Sequence, residues 1–486
     1  MQRRFVALGL GGLVMAGLLA SCASPPADHA QSPLLAARKA MGGEAVQTLR
    51  YTASGTGASL GQAWLPGMAW PRTEISSYTR FVDYAHAALR EDVVRSRAEA
   101  TGGGALPLMG QGVQRTSGLL RGPYAWNLVG ATAVAAPVAL DSRIHDLWTT
   151  PHGVIEAALR NKAVMRNEAG TPAFSFNVPG QFSATFYLDA QGLVERVDSV
   201  LPNPVLGDMR STTVYSEYRD FGGVRFPGRI RQSQGGFPVL DLMVSDVRVN
   251  LQDELTVPAA VLDATERVDT QSAAPGVWFL GGGSHNSVLI EMKDYLVLVE
   301  SPLYDGRAEA VLAEVRRLAP GKELRYVINS HHHFDHSGGL RAAAAQGATL
   351  ITSEQARLWF ERVLANPNAI KPDALALSGK KVALLGVNGQ RSLSDGERTL
   401  DIFMIEDSAH AQGFMMVHLP RERLLIEADA YTPGPPGAPP PAVPNANQVN
   451  LVQNIERLNL QVDRLLPLHG GMVPLSELYA AIGRRP

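Results

Sequence analysis

The segment from Ser330 to Gly339 is the feature that most limits how this chain can fold. It reads Ser-His-His-His-Phe-Asp-His-Ser-Gly-Gly, and three of its four imidazoles and its carboxylate have the spacing of metal ligands. The run from Leu324 to Asn329 has the β-branched and aromatic character of a buried strand, and Gly338-Gly339 opens an amphipathic stretch. The pattern predicts a strand, a short loop and a helix that hold these side chains in fixed positions.

The spacing within this segment divides the candidate ligands into two sets. In an extended segment, His331 and His333 leave the backbone on the same face, so both can hold one ion. Asp335 and His336 follow on the turn and can reach a second ion, whereas His332 points away and has a supporting role. Neutral imidazole and carboxylate suit Zn²⁺ and similar cations. The alternative is a histidine-rich tract without fixed geometry.

Three further residues of ligand type follow, each at the end of an apolar, strand-like run. An isolated histidine or aspartate at such a position is usually a surface residue, but the shared placement of all three indicates a common site. They are His410 after residues 400–405, Asp429 after residues 424–428, and His469 after residues 465–468.

Together these motifs resemble the metallo-β-lactamase superfamily of metal-dependent hydrolases, over roughly residues 275–486. The resemblance implies an αββα sandwich with a dinuclear site at one edge. It also implies two Zn²⁺ ions, with iron or manganese as the alternatives. The implied ligands are His331, His333 and His410 for the first metal, Asp335, His336 and His469 for the second, and Asp429 as the bridge.

The reaction implied by the resemblance is attack of a metal-bound hydroxide on an ester, a lactone, a thioester or a related bond. Two cations roughly 3.5 to 4 Å apart lower the pKa of a shared water from near 15.7 to about 7. Asp335 is the predicted catalytic residue, because its carboxylate can orient the nucleophile and carry a proton to the leaving group. Asp429 is the alternative for this role.

The residue at position 429 helps to indicate which branch of the superfamily the chain resembles. The β-lactamases commonly have Cys or Ser there, so Asp429 favours the glyoxalase, lactonase, esterase and phosphoesterase branches, with β-lactamase as the alternative. The flavo-diiron branch has Glu in place of His333 and carries a flavodoxin domain, and this chain shows neither. A net charge of −2 and the lack of a basic run in the C-terminal half argue against nucleic acid as a partner. The predicted substrate is a small molecule.

Four more residues are candidates for supporting the ligands or contacting the substrate. Each lies in or beside a loop at a strand end, where such roles are common. They are His285 and Asn286 after Gly281-Gly282-Gly283, Glu300 at the end of the run 295–299, and Tyr431 at the base of a Pro- and Gly-rich stretch.

The first residues predict export and attachment to a membrane. Arg3 and Arg4 precede an apolar run from Phe5 to Ala20, which is short for a membrane span and typical of a signal peptide. Leu19-Ala20-Ser21-Cys22 resembles the lipobox of bacterial lipoproteins, and Cys22 is the only cysteine in the chain. We therefore expect a lipid-anchored protein of the bacterial envelope, in the outer membrane and facing the periplasm if the source is Gram-negative. An ordinary cleaved signal peptide is the alternative.

With 486 residues, 45% of them hydrophobic and 19% charged, the chain is long enough for two globular cores. The predicted fold class is α+β, with a β-rich N-terminal domain that resembles the curved antiparallel half-barrels of periplasmic lipoprotein carriers. Helices are predicted from Ser32 to Met41 and from Leu147 to Asn161, and strands at residues 184–188, 193–201, 212–218 and 239–249. The predicted segments are the signal peptide at 1–22, a linker at 23–31, the β-rich domain at 32–265 and the hydrolase domain at 275–486.

The sequence thus predicts an exported, zinc-dependent dinuclear hydrolase tethered to the membrane. The rival from another class is a non-catalytic envelope module that binds lipid or metal. The N-terminal domain could present an apolar ligand to the metal site, or could serve only as a spacer. Ligand residues at all seven positions favour the enzyme, because a binding module does not need a bridging carboxylate.

Overall fold

A computed structural model describes residues 28–99, 112–168, 170–252, 254–434 and 443–484. The predicted signal peptide, Cys22 and residues 23–27 of the predicted linker lie outside the described residues. Within the described ranges, no helix has the length and apolar character that a membrane crossing requires.

The N-terminal domain is built on one open, antiparallel sheet. Its strands run in the spatial order β6-β5-β4-β3-β2-β1-β15-β14-β11-β10-β9-β8-β7, and β12 and β13 form a separate small pair. The strands are β1 (Thr48–Ala58), β2 (Arg72–Asp83), β3 (Ala88–Arg97), β4 (Gln114–Arg121), β5 (Tyr124–Val129), β6 (Thr132–Ala135), β7 (Val164–Glu168), β8 (Thr171–Val178), β9 (Phe182–Leu188), β10 (Val194–Asn203), β11 (Gly207–Ser216), β12 (Arg219–Asp220), β13 (Arg225–Phe226), β14 (Arg229–Gln234) and β15 (Phe237–Val249).

Three helices pack on one face of this sheet and close its main core. The sheet contributes inward-facing residues at every second position, such as Phe182 and Phe186 of β9, and these meet Leu34 and Val154 from the helices. On the opposite face, Trp126 packs with Val261 from the segment that leads to the next domain. The helices are α1 (Asp28–Ala40), α2 (Leu140–Trp148) and α3 (Pro151–Arg160), with the short α4 (Ala259–Leu262) in the connecting segment.

Two of the predicted helix boundaries differ from the structure. The first helix begins at Asp28, so residues 28–31 of the predicted linker are helical and Pro33 lies inside the helix. The helix predicted from Leu147 to Asn161 is the end of α2 followed by α3, because Thr150 caps a new helix and Pro151 occupies its first position. The predicted strands overlap β9, β10, β11 and β15.

The C-terminal domain contains two sheets, with strand orders β16-β17-β18-β19-β20-β21-β22 and β23-β24-β25-β26-β27-β28. Its strands are β16 (Asp269–Ala274), β17 (Val277–Gly281), β18 (Ser287–Glu291), β19 (Tyr295–Val299), β20 (Glu323–Ile328), β21 (Thr349–Ser353), β22 (Ala383–Val387), β23 (Gln390–Ser394), β24 (Thr399–Met404), β25 (Met415–Leu419), β26 (Leu424–Glu427), β27 (Arg464–Pro467) and β28 (Val473–Pro474). Its helices are α5 (Asp305–Leu318), α6 (Phe334–Ser337), α7 (Leu340–Gln346), α8 (Glu354–Leu364), α9 (Ala374–Ser378), α10 (Ala446–Arg457) and α11 (Leu475–Ala481).

The two sheets lie between two layers of helices. In β19, Leu296 and Leu298 pack with α5, α7 and α8, whereas Val297 and Val299 belong to the core shared with the second sheet. Leu451 of α10 packs against the other side of that core. This arrangement is an αββα sandwich, and it confirms the predicted α+β fold class. The first strand of this domain's sheets is β16, which begins at Asp269, before the predicted start at residue 275. The sequence prediction did not include this strand because it is polar and has little hydrophobic pattern.

Strand direction explains where the candidate site lies. Strands β19 to β22 are mutually parallel, as are β26 and β27 in the second sheet. The carboxyl ends of parallel strands share one sheet edge, which is where open α/β sheets place their sites. The segment 331–336 follows β20, Asp429 follows β26 and His469 follows β27. The fold therefore brings these side chains together.

Candidate metal centre

Among the described residues, two groups of side chains could each hold a metal ion. The first group converges on His331, whose Nε2 lies 2.9 Å from Nδ1 of His333 and 3.1 Å from Nε2 of His410. Asp429 completes the group, with Oδ2 2.8 Å from Nε2 of His410. His331 and His333 precede α6, whereas His410 lies in the loop between β24 and β25.

The second group consists of His285, Asp335, His336 and His469. The Nε2 atoms of His336 and His469 are 3.2 Å apart, and Nε2 of His285 lies 3.1 Å from Oδ2 of Asp335. Asp335 and His336 belong to the single turn of α6, whose N-cap residue is His333. The turn thus supplies two residues to the second group, and its N-cap residue belongs to the first.

Asp429 lies between the two groups. Its Oδ2 atom is 3.2 Å from Nε2 of His331 and 3.0 Å from Nε2 of His336. Its Oδ1 atom is 2.8 Å from Nε2 of His469. A carboxylate with imidazoles of both groups around it has the position of a bridging ligand between two adjacent ions.

The hydrogen bonds of the outer ring nitrogens show that these imidazoles fit a metal. Nε2–H of His333 donates to the carbonyl oxygen of Ala63, and Nδ1–H of His336 donates to Glu300. Nδ1–H of His469 donates to the carbonyl oxygen of Ser284. A neutral imidazole has one N–H, so in the neutral form of each ring the nitrogen that faces the cluster presents a lone pair. Separations near 3 Å suit donor atoms about 2.0–2.1 Å from one tetrahedral zinc ion.

The electrostatics of the cluster favour a bound cation. Burial lowers the pKa of His331 and of His333 well below the usual histidine value, so both stay neutral. Burial also opposes protonation of His336, but the Asp429 and Asp335 carboxylates outweigh it and raise the pKa of His336 well above its usual value. Burial opposes ionisation of Asp335 and Asp429, but the neighbouring histidines, above all His336, outweigh it and lower the pKa of both carboxyls. Ionised carboxylates and neutral imidazoles are the forms that bind metal, so a cation bound at His336 would take the place of the proton that the raised pKa holds on that ring.

Glu300 orients His336 from beneath the site. Its side chain is fully buried, and Oε2 accepts hydrogen bonds from Nδ1 of His336 at 2.9 Å and from Oγ of Ser330 at 2.5 Å. Oε1 accepts from Nδ2 of Asn329 at 3.0 Å and from the backbone N–H of Ser330 at 3.2 Å. Such a carboxylate fixes the ring and strengthens its lone pair.

We expect Glu300→Gln to weaken metal binding by about 10- to 100-fold, the usual effect of losing an outer partner of a ligand. The amide N–H₂ must face either the Ser330 N–H or the His336 N–H, so two donors oppose each other. A competition titration with a chromophoric chelator measures the affinity. Unchanged affinity in a folded variant would show that Glu300 does not support the ligands.

The other three supporting candidates, His285, Asn286 and Tyr431, lie in different surroundings. His285 is a member of the second ligand group, and its ring is 4.1 Å from that of His469, centroid to centroid. Asn286 holds the loop that carries His469, because its Nδ2 donates to the carbonyl oxygens of Pro467 and Gly470. Tyr431 is buried in the core between the sheets, and its predicted contact with the ligands or the substrate stays a prediction.

Sequence reasoning missed the contribution of the N-terminal domain to this site. Nε2 of Gln62 donates to Oδ1 of Asp335 at 2.8 Å, and the Ala63 carbonyl accepts from both His332 and His333. Some 270 residues separate these partners along the chain. No motif around residue 62 indicates such a contact, so only the folded structure reveals it.

Residues 280–469 match the family model of the metallo-beta-lactamase superfamily. The C-terminal domain belongs to this superfamily. The match covers the residues that supply both ligand groups, and it confirms the resemblance drawn from the motifs.

Solved metallo-beta-lactamases also resemble part of the chain. The enzyme from Pontibacter korlensis is 15% identical, with a TM-score of 0.34 over 45% of this chain and 98% of that one. The protein from Hirschia baltica is 20% identical, with a TM-score of 0.33 over 45% of this chain and 99% of that one. DIM-1 metallo-beta-lactamase is 14% identical, with a TM-score of 0.34 over 44% and 95%. A search of curated protein sequences found no significant match. The superfamily assignment rests on the family model.

Proposed function

We propose that the protein is a metal-dependent hydrolase with a dinuclear centre, of which two zinc ions are the expected occupants. One observation carries the proposal. The Asp429 carboxylate lies within 3.2 Å of imidazole nitrogens from both ligand groups, including His331 of the first and His336 of the second. A single structural ion needs only one set of ligands, whereas a carboxylate shared by two sets suits a pair of hydrolytic metals.

The side chains around the centre have separable roles. When bound, two such cations polarise a carbonyl or phosphoryl oxygen and lower the pKa of water to about 7. The Asp335 side chain is 31% exposed, whereas that of His331 is fully buried, so we infer that substrate and water approach from the Asp335 side. The lowered pKa of Asp335 keeps it ionised at neutral pH, so its carboxylate can accept a hydrogen bond from the attacking water.

The proposed substrates are small molecules with an ester, lactone or thioester bond, and β-lactams are the alternative. Aspartate at position 429, where Cys or Ser is common in the β-lactamases, supports ester-like substrates over β-lactams. We keep the non-catalytic binding module as the outcome to be excluded by experiment.

The test is an assay of the full-length protein, stripped of metal and then reloaded with zinc, against lactones, carboxylic esters, thioesters, phosphodiesters and β-lactams. We expect turnover of one ester-like class that appears only after reloading. Turnover of β-lactams alone would favour the alternative. Two bound metals without turnover of any class would contradict the hydrolase and support the binding module.

We also propose that the protein is a lipoprotein of the bacterial envelope, on the evidence of Cys22 and the apolar run before it. In a bacterial host, the wild type is expected in the membrane fraction and to incorporate a labelled fatty acid. The Cys22→Ser variant is expected to lose the label. A wild type without label, or a variant that keeps it, would refute lipid attachment at this residue.

A further inference from the structure

The loop between β1 and β2, residues 59–71, extends from the N-terminal domain to the metal centre. We refer to it as the inter-domain loop. Its residue Ala63 is buried, and the carbonyl oxygen accepts hydrogen bonds from Nε2 of His332 at 2.8 Å and from Nε2 of His333 at 2.9 Å. The bond to His333 fixes the tautomer of that ring, so that Nδ1 faces His331 with a lone pair.

Gln62, the neighbouring residue, contacts the second ligand group. Its Nε2 donates to Oδ1 of Asp335 at 2.8 Å, while Oδ2 of Asp335 faces His285. The two oxygens of this carboxylate therefore have partners from different domains. Without Gln62, Oδ1 would have no N–H partner from the inter-domain loop.

The backbone of the loop lies against the ligand-bearing segments at two more points. Phe334, between two ligand residues, donates its N–H to the carbonyl oxygen of Gly61 at 3.2 Å. A Cβ at Gly61 would lie 2.7 Å from Cβ of Phe334, and φ there is +81°, so only glycine fits without strain. The carbonyl oxygen of Trp64 accepts the N–H of Gln412, two residues after His410.

We propose that the inter-domain loop is a structural part of the metal centre. Gln62 is the positioning residue for Asp335, and the Ala63 carbonyl is the positioning group for His333. The inference rests on the proposed function in one respect, because it assumes that the two ligand groups bind metal. It assigns the N-terminal domain a role in metal binding in addition to any role as a spacer.

The first test is Gln62→Leu in the full-length protein, with zinc affinity measured by chelator competition and cobalt spectra as the readouts. We expect the second site to weaken by about 10- to 100-fold, as for other outer partners of metal ligands. The first site, formed around His331, should change by less than about threefold, because the side-chain hydrogen bond of Gln62 goes to Asp335, a member of the second group.

The second test compares two glycine variants that strain the domain interface at different points. Gly61→Ala should displace the loop and weaken both sites. Gly207→Ala is the matched control, because its φ is +71° and a Cβ there would lie 2.5 Å from the carbonyl oxygen of Pro367, on the other domain but away from both ligand groups. We expect the control to lose stability while keeping its zinc affinities.

The outcomes separate this inference from the proposed function. Wild-type affinities in Gln62→Leu and Gly61→Ala would overturn the role of the loop, even if the wild type hydrolyses its substrate. Equal losses in Gly61→Ala and Gly207→Ala would also overturn it, since domain docking alone would then be responsible. Gln62-dependent metal binding in a protein that hydrolyses nothing would uphold the loop and reject the hydrolase.

Discussion

Replacement of Asp429 by alanine is expected to abolish the proposed dinuclear centre and nearly all of the proposed hydrolysis. The carboxylate is within 3.2 Å of four imidazoles, so its loss removes a ligand from both ions and leaves those rings without their shared counter-ion. Metal catalysis supplies several kcal/mol of transition-state stabilisation, so we expect kcat/KM to fall by about 10³-fold or more. Metal analysis should show fewer than two ions per chain.

Asp463→Ala is the matched control for this variant. Asp463 is an exposed aspartate of the same domain that pairs with Arg423 at 2.8 Å on the surface. Exposed pairs contribute little to stability, so the control should keep both metals and full turnover. Two bound metals and wild-type kinetics in Asp429→Ala would refute the bridging role.

Asp335→Asn is expected to lower kcat by about 10²- to 10⁴-fold, the range typical of a group that handles protons or orients the nucleophile. Asparagine fits this position. Its Oδ1 can still accept from Gln62, and its Nδ2 can donate to Nε2 of His285, whose Nδ1 can donate to the Ser284 hydroxyl. The variant therefore removes the negative charge and leaves the local packing in place.

The accompanying measurements are the thermal unfolding temperature and the metal content. We expect an unfolding temperature close to that of the wild type and weaker binding at the second site. Activity that is insensitive to Asp335→Asn would contradict the catalytic role. In that case Asp429 would be the remaining carboxylate for it.

Several of the candidate metal ligands could be predicted from the sequence because they lie in the loops that follow apolar strands. His331, Asp429 and His469 come directly after β20, β26 and β27, so strand pattern and residue type together fix their place. Glu300 follows β19 in the same way, and its hydrogen bond to His336 agrees with the predicted supporting role. Apolar runs of strand length and ligand chemistry are local properties that a single sequence displays.

The contacts between domains could not be predicted in this way. No residue of metal-ligand type lies near Gln62 in the sequence, and its hydrogen bond to Asp335 depends on how the two domains pack. The burial of Tyr431 in the core between the sheets likewise could not be read from its position at the base of the Pro- and Gly-rich stretch. Burial and long-range contacts are decided by tertiary packing, which local pattern does not contain.

The most direct test of the account is a titration of the metal-stripped, full-length protein with zinc, in which hydrolysis of the best substrate is followed against zinc equivalents per chain. A dinuclear hydrolase predicts that turnover rises to a plateau at two equivalents. A plateau at one equivalent, or turnover that does not depend on zinc or another divalent metal, would contradict the shared role of Asp429 and with it the proposed function.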